Sequence, residues 1–251
     1  MIHLLGLPGS PAPEPLDRVL EAARRDAGRL AEAGFPGLVV ENYGDSPFLP
    51  GAVEPVTIAA MARVLGALRE EIGDLPLGVN VLRNDARSAL ALAAAYGLQS
   101  IRVNVHAGAR VTDQGLLEGR AWETLRLRAA WGAQGVAIWA DVRVKHSAPL
   151  GAPRPVAEEV AEVVERGRAD AVIVTGAGTG VAVDGEELAA VCRAAGGAPV
   201  LVGSGVHEGS VASILALAHG AIVGTATKEG GVTTAPVDPR RARAIIQAAA
   251  L

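Results

Sequence analysis

Ile101-Arg102-Val103-Asn104-Val105-His106 alternates apolar and polar side chains, and Ala140-Asp141-Val142-Arg143-Val144-Lys145-His146 repeats the pattern further along the chain. A period of two is the signature of a strand whose faces meet different surroundings. Outward from these two stretches, six more short Val/Ile/Leu-rich runs occur: Ile2–Leu7, Gly37–Asn42, Leu77–Leu82, Ala171–Thr175, Val200–Gly203 and Ala221–Gly224. Segments of helical composition separate them, among them Pro15–Ala33, Val56–Ile72, Ala86–Tyr96, Arg120–Trp131, Val156–Gly167 and Glu186–Ala195. Strands alternating with helices build a parallel sheet covered by helices. Eight such units in 251 residues predict an α/β fold of the (β/α)8 TIM barrel type, a single domain over 1–251, with an open doubly wound sheet as the alternative. Asp238 followed by Pro239 marks the start of a last helix. Strand outer faces must pack on apolar helices, so the polar sets are expected inside the barrel, with Glu41, Arg102, Asp141 and Arg143 forming an ionic network there.

Half the chain is apolar but only 3% is aromatic, so aliphatic side chains must build the core. A domain of this size buries roughly 70–75% of its unfolded-chain surface and needs no staple. The lone Cys192 excludes an internal disulfide and suits a reducing, cytoplasmic setting. The net charge of −4 argues against a nucleic-acid partner. No apolar run reaches the ~18 residues of a membrane span. The opening Met1-Ile2-His3-Leu4-Leu5-Gly6 lacks the basic region of a signal peptide. A homo-oligomer is left open.

Rare residue types are placed unevenly. Of 23 cationic residues only two are lysines, Lys145 and Lys228, each following a strand-like run. The four asparagines, Asn42, Asn80, Asn84 and Asn104, lie at or just after the second, third and fourth runs. His106, His146 and His207 also follow runs. In a barrel the loops after the strands form the catalytic face. Lys145, Asp141, His106 and Glu41 are therefore candidate catalytic residues. Asn80, Arg83, Asn104, Asp113, Gln114 and Thr175 are candidates for binding substrate. Asn also favours loops for its own sake, and an interior ionic layer can be purely architectural.

The seventh and eighth runs end in Gly203-Ser204-Gly205 and Gly224-Thr225-Ala226-Thr227-Lys228. Backbone N–H groups exposed by glycine and hydroxyl donors suit a phosphate, so Gly203, Ser204, Gly205, Gly224 and Thr225 are candidate phosphate ligands. Gly176-Ala177-Gly178-Thr179-Gly180 is either a neighbouring anion nest or a lid. No P-loop, Cys–Cys zinc pair, HExxH or nucleophile elbow is present. No cofactor is predicted. Glu41 and Asp141 could meet around Mg2+, though paired interior carboxylates more often serve arginine.

Several longer motifs resemble the BtpA/SgcQ family. They are Val39-Val40-Glu41-Asn42-Tyr43-Gly44-Asp45-Ser46-Pro47-Phe48, Gly78-Val79-Asn80-Val81-Leu82-Arg83-Asn84-Asp85 and Ile101-Arg102-Val103-Asn104-Val105. Val111-Thr112-Asp113-Gln114-Gly115, Ala140-Asp141-Val142-Arg143-Val144-Lys145-His146 and Gly203-Ser204-Gly205-Val206 continue the resemblance over almost the whole chain. It implies a barrel of the ribulose-phosphate-binding type. It also implies kinship with a peripheral cyanobacterial protein of photosystem I biogenesis, but it supplies no catalytic set. Two functions follow as expectations. One is an enzyme acting on a small phosphorylated metabolite, a sugar phosphate or nucleotide-like compound, with Lys145 as base, acid or clamp and Asp141 holding it. The other is a non-catalytic assembly factor for a membrane complex. A polar barrel mouth favours the enzyme.

Overall fold

The computed structural model describes residues 1–176 and 183–250. Eight parallel strands form one curled sheet. In chain order they are β1 (Ile2–His3), β2 (Leu38–Glu41), β3 (Leu77–Asn80), β4 (Ser100–Val103), β7 (Ala137–Val142), β9 (Ala171–Val174), β10 (Val200–Val202) and β11 (Gly220–Ala221). Each pairs with the next in that order. The Met1 nitrogen donates to the Val223 carbonyl at 2.7 Å, which draws the last strand against the first. The fold is the (β/α)8 barrel that the alternation predicts.

Strand direction and helix packing follow from the side-chain pattern. Val40, Val79 and Ile101 are fully buried on the outer face, in one apolar cluster with Leu30, Leu65 and Leu90 of the surrounding helices. Helix α1 (Leu16–Ala33) turns Val19, Ala23, Ala27 and Leu30 inward at helical spacing and ends at Gly34, whose φ of 95° is the left-handed cap. The second helix, α2 (Pro55–Ile72), begins with proline in its first turn. Helices α3 (Ala86–Tyr96), α4 (Ala121–Ala130), α5 (Val156–Ala161), α6 (Gly185–Ala194) and α7 (Val211–Leu215) complete the shell, with α8 (Pro239–Ala249) last. The Asp238 side chain accepts from the backbone of Arg240 at 2.8 Å, which is the cap expected there.

Most strands are shorter than the apolar runs that announce them: the first run ends as a strand at His3 and the fourth at Val103. The residues beyond these points are loop. A second, antiparallel sheet, absent from the sequence reading, caps this side of the barrel. It comprises β5 (Ala109–Thr112), β6 (Gly115–Glu118) and β8 (Ser147–Pro149), with β5 central. None of the helices among the described residues is long and apolar enough to cross a membrane.

Candidate active site

The interior of the barrel is polar toward the ends of the strands. Arg102 grips Asp141 with two parallel hydrogen bonds, Nε to Oδ1 at 2.9 Å and a terminal nitrogen to Oδ2 at 2.8 Å. Its other terminal nitrogen lies 4.0 Å from Glu41. Asn104 donates to Asp141 at 3.1 Å, and Asn80 donates to Glu41 at 2.7 Å. Glu41, Arg102 and Asp141 therefore pair inside the barrel as the strand parity predicts. Arg102 stands where a cation shared by the two carboxylates would stand, so Mg2+ has no place between them. Among the described residues no cluster of three or more His, Cys, Asp or Glu could hold a metal.

His3, which the sequence reading passed over, belongs to this group. Its Nε2 is 3.9 Å from Glu41, and burial pushes its pKa down to about 3, so the ring is neutral at pH 7. Burial alone would raise the Glu41 carboxyl. His3, Arg102, Lys145 and the Asn80 hydrogen bond outweigh burial and hold it below its ordinary value. With His3 neutral, Arg102 is the fixed cation that keeps Glu41 ionised.

Lys145 enters a cleft of about 230 Å³ that is also lined by His3, Glu41, Arg102, Gly203, Ser204, Gly205, Gly224, Thr225 and Arg241. Its backbone is held at both ends: its N–H donates to the Thr175 hydroxyl at 3.1 Å, and its carbonyl accepts from Arg83 at 2.8 Å. Its ammonium makes no hydrogen bond or ion pair among the described residues. Burial lowers its pKa; Glu41 opposes that, Arg102 adds to it, Asp141 opposes it and Arg83 adds to it, and the balance stays downward. Thr175 and Arg83 thus act on Lys145 through its backbone, and Asp141 is committed to Arg102 and does not hold the ammonium.

The predicted phosphate ligands surround the other end of this cleft. Their glycines have packing reasons of their own. A Cβ at Gly203 would lie 2.6 Å from Ile173, and one at Gly224 would lie 2.8 Å from His3. Gly205 has φ of +69°, a conformation L side chains rarely adopt. Ser204 is buried, and the Thr225 hydroxyl pairs with Thr233 at 2.9 Å. Arg241, from the first turn of α8, joins them. Its Nε donates to the Ala226 carbonyl at 2.9 Å, and it has no acidic partner among the described residues. Sequence reasoning missed Arg241, although the Asp238-Pro239 cap fixes its place in that turn.

Other candidates lie elsewhere. His106 is buried behind the sheet, its Nε2 2.8 Å from the Gly167 carbonyl and its charged neighbours Arg128 and Asp170. The strand ends at Val103, so the inward parity does not extend to position 106. Arg143 is not in the interior network. The chain turns left-handed there, with φ of 52°, and the guanidinium pairs with Glu159 at 2.8 Å and Glu187 at 3.3 Å. A second cavity of about 230 Å³ beside the end of β7 is lined by Arg143 and Glu159, with Arg110, Arg154 and Glu162. Its arginines are already paired with glutamates, Arg110 with Glu159 at 3.3 Å and Arg154 with Glu162 at 2.7 Å, whereas the Lys145 ammonium has no partner among the described residues. Lys228 is fully buried against Asp26 of α1 at 2.7 Å and serves the scaffold. Asp113 and Gln114 form the tip of the β5–β6 hairpin, where they bond each other at 2.6 Å. The charge of Asp113 still acts on Arg83 and His146 across the mouth. Asn42 and Asn84 act as brackets. Asn42 accepts from the Leu82 backbone at 2.7 Å, and Asn84 both accepts from Val105 at 2.8 Å and donates to its carbonyl at 2.9 Å. Of the Gly176–Gly180 stretch, positions 177–180 lie outside the described residues.

The model of the BtpA family matches residues 1–251. The photosystem I biogenesis protein BtpA of Synechocystis is 42% identical over 251 residues, covering 100% of this chain and 86% of that protein. An uncharacterised protein of Thermococcus kodakarensis is 43% identical, with 99% of this chain and 93% of the relative covered. Among solved structures, phosphoribosyl anthranilate isomerase from Thermus thermophilus superposes with a TM-score of 0.57 at 16% identity, over 90% of this chain and 94% of that one. KGPDC from Streptococcus mutans gives 0.57 at 12% identity, with 92% of each chain covered. These structural likenesses show the barrel fold alone.

Proposed function

This chain belongs to the BtpA family, and from that premise we propose that it is an enzyme acting on a small phosphorylated metabolite, a sugar phosphate or nucleotide-like compound. One observation carries the reading: a half-buried lysine whose ammonium has no partner among the described residues shares a cleft with the two Gly-rich loops that follow the last two barrel strands. The phosphate sits between Ser204-Gly205 and Gly224-Thr225, on backbone N–H groups, with Arg241 at the rim. The rest of the substrate reaches toward Lys145 and Glu41, over Asn80, Asn104 and Arg83. Arginine keeps its proton at any working pH, whereas a partly buried lysine can lose its own and act as base or nucleophile.

Inorganic phosphate and sugar phosphates at millimolar levels should raise the melting temperature. A ligand at a hundred times its Kd adds about 2.7 kcal/mol to the native state. Gly205→Val should weaken that effect, and no stabilisation by any phosphorylated compound removes the reading. Once a turnover is known, Lys145→Arg should abolish kcat with the fold intact. A rise confined to KM would make Lys145 a point charge for phosphate.

The second reading is an assembly factor, the role named for the Synechocystis relative. The exposed Val111, Leu116 and Leu150 of the capping sheet and the loop beyond it favour it. Such a role leaves Lys145 in its cleft without a use, so the enzyme is preferred.

A further inference from the structure

The chain holds two lysines, Lys228 fully buried and Lys145 half-buried, in opposite states. Lys228 is satisfied by Asp26 at 2.7 Å, the arrangement expected when a cation is buried for structural reasons. Lys145 has Glu41, Asp141, Arg102 and Arg83 around it, yet each carboxylate is already bound to another side chain. Its main chain is fixed by Thr175 and Arg83, while the amine end has no partner among the described residues of the cleft. A lysine built only to hold phosphate gains nothing from this: the chain uses arginine for every other exposed cation, and Arg241 already stands at the rim. A lysine that serves only as base would duplicate Glu41, a carboxylate held ionised in the same cleft. Desolvation beside other cations is how a lysine amine is made nucleophilic.

We propose that Lys145 forms an imine with a phosphorylated ketone or aldehyde, with Glu41 relaying the proton. The proposal deepens the phosphorylated-metabolite reading and rests on it. The neutral Nζ attacks the carbonyl carbon, forming the C–N bond and moving the π pair onto oxygen. Glu41 takes one proton from the nitrogen and delivers it to that oxygen. A hydronium ion from the solvent then protonates the hydroxyl, which departs as water while the nitrogen lone pair closes the C=N bond. The product is an iminium ion, which Glu41 and Asp141 stabilise electrostatically. It withdraws electrons from the neighbouring carbon and so allows a C–H or C–C bond there to break.

The test is reductive trapping of the full chain. Dihydroxyacetone phosphate and ribulose 5-phosphate are each added with sodium borohydride, and the product is followed by intact mass and peptide mapping. With two lysines in the chain the background is low. The expected result is a stable adduct on the Lys145 peptide, abolished in Lys145→Arg and reduced by excess inorganic phosphate; the variant should keep its circular dichroism and melting temperature. If these phosphates raise the melting temperature but leave no adduct, the imine is overturned and the phosphorylated-metabolite reading stands. If unphosphorylated dihydroxyacetone labels Lys145 equally well and phosphate does not compete, the imine stands and the phosphate site falls. Neither stabilisation nor adduct overturns both.

Discussion

Arg102 is held by Asp141 through two hydrogen bonds in a site nearly closed to water, and each is the other's main compensation for burial. Removing one partner strands a charge, which costs roughly 3–5 kcal/mol. Asp141→Ala should therefore lower the unfolding free energy, read from urea unfolding, by that amount, and a loss within about 0.5 kcal/mol, typical of a surface site, would place the pair outside the interior. His3 gives a pH signature. Its folded pKa of about 3 lies below the unfolded value of 6.5, so the unfolded state binds the extra proton between those limits. Its contribution is full above pH 6.5 and is lost as pH falls toward 3. His3→Gln should flatten the fall in stability over that window, as read from urea midpoints in a series of buffers. The sequence made the interior legible where pleating holds: Glu41, Asn80 and Arg102 end strands or sit inside them. It failed at His106 and Arg143 because both lie past a strand's last residue, where alternation no longer fixes direction. The scarcity of asparagine was a true signal with two causes. Asn80 and Asn104 hold carboxylates, Asn84 holds backbone, and Asn42 does both, donating to Asp45 at 2.9 Å and accepting from the Leu82 N–H, and composition cannot separate these uses.

At the level of elements, the eight barrel strands and their helices were legible because long apolar periodicity reports both. The capping sheet was not. Its strands have only three or four residues each, and the turn at Gly115, with φ of 94°, reads as an ordinary loop. The brackets from Asn42 and Asn84 explain how short strands still give a stable mouth. Each amide side chain imitates a sheet partner for the next loop, extending the ladder by one step beyond the strand ends. Asn84→Ala would leave the Val105 N–H without its acceptor, at a cost of about 1–3 kcal/mol. Hydrogen exchange at Val105 should accelerate while β10, on the far side of the barrel, keeps its protection. Unchanged exchange would mean that the loop is held by other contacts.

Across the whole molecule, the segment after the last strand must return to the first helix to close the shell. Asp26 of α1 receives it twice, from Lys228 Nζ at 2.7 Å and from the Val237 N–H at 3.0 Å, and Arg29 of the same helix donates to the Val237 carbonyl. Burial lowers the Lys228 pKa against the pull of Asp26, so this ion pair is dearly solvated in the unfolded chain and gains only what its geometry returns. The sequence showed Lys228 as rare and placed after a strand, which fits a mouth residue equally well; only the position of α1 assigns it to the seam. Lys228→Met alone should destabilise by roughly 3–5 kcal/mol, because Asp26 would be left charged and buried. Adding Asp26→Asn removes that charge and keeps an oxygen for the Val237 N–H. The double variant should thus recover most of the loss, as judged by urea unfolding of all four members of the cycle. If the double variant is as unstable as the sum of the single changes, the two side chains are not coupled, and the seam is closed by its apolar contacts instead.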